Sequence, residues 1–254
     1  MDRGTYAAAS AGLAQLRKLD IVSNNLANVA TTGYKKQVLT AESQPFDMTF
    51  AQTVAKQDPY AKGDHDRSPG VVNFKEVTDF SQGSVQTTGS PLDVALNKEG
   101  DFFVIQTPEG IRYTRAGSFT LDGEGKLMTP DGMTVQGDGG EIVALGTGAV
   151  INRDGSVQAN GNNVGRIQVV HFDDPQASLV PAGNSRYSLA EGAAQPQQIE
   201  ADLTPGAIEL ANVSAVSSMV DLIAASRGFE MYTKAAQSID EMNSQAISRY
   251  GSRR

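Results

Sequence analysis

The stretch LAQLRKLDIVSNNLANV, residues 13–29, decides how the first part of this chain folds. Its apolar residues recur at spacings of three and four, which places their side chains on one face of an α-helix. The pattern predicts an amphipathic helix over residues 5–30, ended by the Thr-Thr-Gly sequence that follows it. The apolar positions are Ala9, Leu13, Leu16, Leu19, Val22, Leu26 and Val29.

The end of the chain carries a second and longer helical pattern, over residues 212–250. Asn212 is the predicted N-cap of this helix, and the phase of the pattern changes at Gly228, as in a helix that kinks or changes its packing partner. Isolated amphipathic helices are marginal in water, so we expect the two terminal helices to pack as a coiled-coil-like pair. The apolar positions are Val213, Val216, Val220, Ile223, Phe229, Tyr232, Ala236 and Ile239.

Between the helices, the sequence predicts an antiparallel β domain of short hairpins. Acidic residues or asparagine precede glycine at eight places between residues 99 and 161, and such dipeptides favour hairpin turns. The fold class is therefore α+β, with predicted segments at 1–34 (helix), 35–83 (extended linker), 84–205 (β domain) and 206–254 (helix). The predicted strands include Asp101–Thr107, Ile111–Thr114, Ser118–Leu121, Gly148–Ile151, Ile167–His171 and Tyr187–Leu189.

Composition excludes several classes of function. The 254 residues carry a formal charge of -8 and no long run of Lys or Arg, whereas a nucleic-acid partner favours a clustered basic face. Cysteine is absent, which removes disulfides and thiolate metal sites. No stretch resembles a secretory signal peptide or a membrane span, so we expect any export to use another route.

The sequence offers weak candidates for chemistry. His171 lies close to Asp173 and Asp174, but such a group at a strand end is more typical of a solvated turn than of a metal or acid–base site. The acidic turns at Asp122 and Asp154 resemble fragments of calcium loops without the remaining ligands. We therefore expect no cofactor, no metal, no small-molecule substrate and no catalytic residues.

A cluster of asparagines, Asn24, Asn25 and Asn28, weakens the end of the first helix. One interpretation is a frayed helix end. The other is that the amides bond to adjacent chains, where buried polar groups fix the register of an assembly. Spacing alone slightly favours the frayed end.

Three ordered blocks of sequence resemble bacterial flagellar rod and hook proteins, and they span most of the chain. Within that family, the first residues and the block SRGFE resemble proximal rod proteins most, with distal rod proteins as the near alternative and hook proteins a more distant one. The first block is SNNLANVATTGYK (23–35), the second is PLDVAL (91–96) with GDFF (100–103) and YTRAGSF (113–119), and the third is LANV (210–213) with MVDLI (219–223) and SRGFE (226–230).

The resemblance implies a structural subunit of a periplasm-crossing axial tube. It implies partners among other rod proteins, copies of the same chain and the flagellar export apparatus, and a tube wall of paired terminal helices that transmits torque. We expect the leucines of the first helix to pack on the apolar face of the last, within the chain and between neighbours. The expected assembly residues are Leu13, Leu16, Leu19, Asn24, Asn25, Leu26, Asn28, Asn212, Val216, Val220, Ile223, Phe229 and Ile239.

Two classes outside this family stay open on the sequence alone. The first is a secreted carbohydrate-active β enzyme, since any two of 29 acidic residues could converge, although the aromatic residues that hold sugars are scarce. The second is a calcium-dependent adhesive module built on the acidic turns.

Overall fold

The structure, a computed structural model, describes residues 3–43, 72–145 and 148–251. Within these residues the chain forms two compact units. The first unit takes in the described parts of 1–24, 37–77 and 216–254, and the second consists of residues 25–36 and the described parts of 78–215.

Helices and strands alternate with short turns along the described residues. The helices are α1 (Arg3–Ala27), α2 (Pro175–Ser178) and α3 (Ala215–Gly251). The strands are β1 (Gln37–Ser43), β2 (Val72–Thr78), β3 (Val85–Thr87), β4 (Val94–Leu96), β5 (Asp101–Thr107), β6 (Gly110–Thr114), β7 (Thr120–Leu121), β8 (Leu127–Met128), β9 (Thr134–Gly137), β10 (Gly140–Glu141), β11 (Val150–Ile151), β12 (Ser156–Ala159), β13 (Asn162–Arg166), β14 (Val169–His171), β15 (Leu179–Pro181), β16 (Arg186–Leu189), β17 (Gln197–Ile199), β18 (Leu203–Pro205) and β19 (Ala207–Glu209).

The first unit contains the two long helices and the paired strands β1 and β2. Helix α1 ends at Ala27, three residues before the predicted end, and gives way to turns. Helix α3 begins at Ala215, so Asn212 is not its N-cap, and it continues without a break through Gly228. Both strands lie in the segment 35–83 that the sequence indicates as a linker.

The second unit is built around a sheet of ten strands with the order β15-β16-β6-β5-β9-β8-β7, to which β10, β14 and β17 add at the side. Strand β5 is central, since it pairs antiparallel with β6, β9 and β14. Alternate side chains of a strand point to opposite faces. Phe103 and Ile105 therefore lie in one hydrophobic core, and Phe102 and Val104 lie in another.

The predicted α+β class and the central antiparallel β region are confirmed. Strand β5 has the predicted bounds, because a run of apolar residues that is buried on both faces gives a strong signal. Strands β6 and β16 each begin one residue before the predicted start. Strands β7, β11 and β14 are shorter than predicted, and Ser118, expected in β7, makes an isolated bridge to Asp93. Among the described helices, none is long and apolar enough to span a bilayer.

Candidate functional site

The start of helix α3 exposes a face of large apolar side chains. Val216 is 74% exposed, Val220 61% and Ile223 52%, and these positions follow one another at helical spacing. The buried residues of this part of the helix are small, namely Ser218 and Ala225. The large apolar residues expected at the assembly surface are therefore not buried within the chain.

Helix α1 shows the same division between an exposed and a buried face. Leu13 is 63% exposed and Leu16 38%, whereas Ile21 is buried. Of the other expected assembly residues on the two helices, Asn24 is exposed, and Leu19, Leu26, Phe229 and Ile239 are half-buried. The structure thus leaves much of the expected apolar surface accessible in the single subunit.

Within the first unit, Gly228 of α3 lies against the side chain of Gln15 of α1. A Cβ atom added at Gly228 would overlap Nε2 of Gln15 and would lie 2.9 Å from its Cδ. Glycine costs about 1 kcal/mol of helix propensity relative to alanine. The overlapped atoms belong to the end of a flexible side chain, so the contact favours glycine at this position only weakly.

The motif blocks that are far apart in sequence meet in the second unit, in a cluster that we call the collar. Four of its residues, Asn25, Lys36, Asp79 and Asn212, lie within three positions along the sequence of the points where the chain leaves this unit. The collar consists of Asn25, Tyr34, Lys35, Lys36, Asp79, Ser81, Arg115, Glu209 and Asn212.

The asparagines at the end of α1 bond within the chain. Oδ1 of Asn25, a buried residue, accepts a hydrogen bond of 3.0 Å from the hydroxyl of Tyr34. The hydroxyl of Thr31 donates to Oδ1 of Asn28 over 3.2 Å. Helix α1 includes Asn24 and Asn25 and ends at Ala27, one residue before Asn28.

Asn212 joins three segments of the collar through its side-chain amide. Its Oδ1 accepts from the backbone N–H of Lys36 at 2.7 Å. Its Nδ2 donates to the backbone oxygens of Asp79 at 2.9 Å and Ser81 at 3.1 Å. Asn212, expected at an assembly interface, thus makes several bonds inside its own chain.

Glu209 is the centre of the collar and is fully buried with its two cationic partners. Its Oε1 accepts from Nζ of Lys35 at 2.6 Å and from the backbone N–H of Gly83 at 2.8 Å. Its Oε2 accepts from Nε of Arg115 at 2.7 Å. A buried ion pair adds little net stability, but removal of one partner leaves a buried charge unpaired, which costs about 3–5 kcal/mol.

The two cations are held further by backbone oxygens and by aromatic packing. Nζ of Lys35 donates to the oxygen of Ser81, and Nη1 of Arg115 donates to the oxygen of Asp101. The guanidinium carbon of Arg115 lies 5.8 Å from the centre of the Phe102 ring, within the range of a cation–π contact. Burial lowers the pKa of Lys35, and the neighbouring Glu209 carboxylate opposes that effect.

Two glycines allow backbones to approach each other in the collar. Gly33 has a φ of +65°, and an added Cβ would overlap the backbone N of Ala116. Its N–H donates to the backbone oxygen of Glu209 at 2.8 Å. An added Cβ at Gly83 would overlap the oxygen of Leu210. A larger residue at Gly33 would push the first block away from the second, and a larger residue at Gly83 would push its own segment away from the third block.

The weak candidates for chemistry have structural roles. Nδ1 of His171 lies 2.7 Å from Oδ1 of the buried Asp101, and its Nε2 lies 3.7 Å from Asp173. The carboxylate of Asp174 caps helix α2 by accepting from the N–H groups of Gln176 and Ala177. Within the residues that the structure describes, no group of three or more potential ligands could hold a metal ion.

Sequence reasoning missed the charged centre of the collar. Lys35 and Arg115 stood inside the resembling blocks, and Glu209 stood immediately before one, but no spacing rule links them. They lie 80 and 94 residues apart along the chain, and only the fold brings them together. No local signal singles them out, because the second and third blocks also carry other charged residues, such as Asp101 and Arg227.

Comparison with known families gives three matches, in the order of the three motif blocks. The model described as "Flagella basal body rod protein" matches residues 6–35. The model "Flagellar hook protein FlgE/F/G D1 domain" matches 97–159, and "Flagellar basal body rod FlgEFG protein C-terminal" matches 204–249.

Curated relatives match over nearly the full chain. The flagellar basal-body rod protein FlgF of Caulobacter vibrioides is 32% identical over 99% of this chain and 99% of its own length. The rod protein FlgG of Bacillus subtilis is 32% identical over 89% of this chain and 90% of its own. FlgF of Escherichia coli is 30% identical over 95% of each. Identity alone does not separate the FlgF and FlgG types.

Proposed function

Because this chain belongs to the family of flagellar basal-body rod proteins and is a structural subunit of the rod, we propose that it assembles through the exposed apolar faces of its two terminal helices. These faces pack on copies of the chain and on related subunits in a coiled-coil-like arrangement. The relatives are structural proteins and not enzymes, and this chain acts through packing and not through catalysis.

The exposed apolar face of α3 carries the proposal. Val216, Val220 and Ile223 are each more than half exposed in the single subunit. Burial of one such side chain contributes about 1.5–3 kcal/mol, so a few of them per contact offset the entropy lost on association. Contiguous exposed apolar surface of this kind marks an interaction site.

The lengths of the helices support contacts between subunits as well as within one. Helix α3 has 37 residues and α1 has 25, so α3 is longer by about 18 Å at 1.5 Å per residue. The contact between Gln15 and Gly228 supports a pairing of the two helices in the subunit. The surplus length of α3 either lies exposed or is covered by a neighbouring molecule, and the proposed assembly gives it that neighbour.

The names of the relatives support a position in the flagellar basal body. We propose a proximal position in the rod, which is supported by the resemblance of the first residues and of the block SRGFE to proximal rod proteins and by the alignment with FlgF of Caulobacter vibrioides. There it forms part of a tube that spans the periplasm, conducts exported subunits and transmits torque, and its partners are other rod proteins and the export apparatus. The net charge of -8 supports the expectation that nucleic acid is not a partner.

The position within the rod is tested by imaging basal bodies that contain a tagged chain. Density for the tag next to the inner membrane supports the proximal position. Density at the outer end of the rod would assign the chain to the distal segment.

The assembly surface is tested by the double substitution Val220→Ser and Ile223→Ser. Both side chains are exposed, so we expect the purified variant to melt at the temperature of the wild type. Incorporation into isolated basal bodies, measured by immunoblot, should be lost. The control is Leu145→Ser, which removes a residue that is 69% exposed in the β domain. Wild-type incorporation of the double variant would contradict the proposed surface.

A further inference from the structure

We propose that the collar transmits force between the terminal segments and the β domain, so that no single segment of chain carries it alone. This inference rests on the rod function proposed above. The chain passes between its two units four times, after residues 24, 36, 77 and 215. A collar residue lies close to each passage: Asn25, Lys36, Asp79 and Asn212.

Three of the four passages are tied to one another by Asn212 and its neighbours. The Asn212 amide bonds to the backbones of Lys36 and Asp79. These two residues also bond directly, because the N–H of Asp79 donates to the oxygen of Lys36 at 2.9 Å and their side chains form an ion pair at 3.1 Å. Displacement of any one passage therefore strains bonds at the other two.

The remaining passage is joined through Tyr34 and the buried centre. The Tyr34 hydroxyl holds Asn25, and the adjacent Lys35 pairs with Glu209. Glu209 in turn holds Arg115, which follows strand β6 of the main sheet. A continuous chain of short contacts thus runs from the end of α1 to the sheet.

Bonds that share a force rupture more slowly than bonds that break one after another. The collar has this arrangement, because Glu209 and Asn212 each bond to several segments at once. The close backbone approach at Gly33 and Gly83 leaves no space for the segments to slide. Close-packed interiors of this kind transmit strain with little compression.

The experiment pulls single molecules of the full chain by their two ends at constant force. The test variant is Asn212→Ala, which removes the amide that ties three passages. The matched control is Asn97→Ala in the same unit, whose amide bonds to Asp202 and Thr204 but to none of the passages. Loss of one hydrogen bond should raise the rupture rate several-fold, and Asn212→Ala loses more bonds than the control. We therefore expect Asn212→Ala to rupture about tenfold faster than Asn97→Ala.

The outcomes separate this inference from the assembly proposal, because incorporation into basal bodies is measured on the same variants. Faster rupture of Asn212→Ala than of Asn97→Ala supports the collar as the point of force transmission. Equal rupture rates overturn that role, even if both variants incorporate normally. The two proposals can also fail separately. If Asn212→Ala ruptures faster but the double variant Val220→Ser, Ile223→Ser incorporates like the wild type, the role of the collar is supported and the assembly proposal is refuted.

Discussion

Substitution of Glu209 by leucine should be one of the most damaging single changes in the second unit. Glu209→Leu removes the carboxylate that pairs with both Lys35 and Arg115, and all three side chains are fully buried. It also leaves the N–H of Gly83 without its acceptor. Unpairing buried charges costs about 3–5 kcal/mol. That loss is about a fifth or more of the 5–15 kcal/mol by which a typical domain is stable.

The triple variant Lys35→Met, Arg115→Met and Glu209→Leu separates the burial of charge from the loss of packing. It removes the two cations together with the anion, and apolar residues of similar volume often replace a buried ionic group without loss of stability. We therefore expect the triple variant to recover a large part of the stability that Glu209→Leu loses. Some loss should remain, since Arg115 also donates to backbone oxygens.

Urea unfolding of the full chain, followed by circular dichroism, measures both variants. The control is Glu109→Leu, which removes a carboxylate that is 80% exposed and pairs with Arg112 at the surface. Exposed pairs contribute little, so the control should unfold close to the wild-type midpoint. A loss below about 1 kcal/mol for Glu209→Leu, or a triple variant as unstable as the single one, would refute the argument.

Two further predictions concern the helix contact and the buried phenols. Gly228→Ala should be more stabilising in a Gln15→Ala background than in the wild type by about 0.5 kcal/mol or more, because the smaller residue 15 leaves space for the new Cβ. If the stability changes of the two substitutions simply add in thermal melts, the contact is contradicted. Burial raises the pKa of Tyr34 and of Tyr187, so the stability these phenols contribute is complete below about pH 10 and is lost as the pH rises through their raised folded values. Ionisation followed by ultraviolet absorbance should therefore coincide with unfolding, and normal titration of both phenols in the folded protein would disprove this.

The elements with strong local signals are the ones that the sequence predicted well. The helical periodicity gave both terminal helices to within three residues at each described end, and the run from Asp101 to Thr107 gave strand β5 with its bounds. The bounds of the two-residue strands were predicted less accurately, because a strand such as β7 is set by its pairing with β8 rather than by its own residues.

Helical periodicity could not predict which side of each helix is buried within the subunit. Periodicity identified a face with Val216, Val220 and Ile223, but it does not say whether the subunit itself or a neighbour covers that face. In the subunit, small residues such as Ala225 are buried instead. Close approach of two helices favours small side chains, and that preference competes with hydrophobicity.

By itself, the sequence determined the fold class, the two long helices and the family to which the chain belongs, because these depend on patterns between near neighbours and on ordered motifs. The tertiary structure alone decided that Lys35, Arg115 and Glu209 meet, and that Asn212 ties the passages of the chain instead of capping a helix. Those contacts join residues separated by about eighty or more positions, and the distance between such residues is a property of the folded chain.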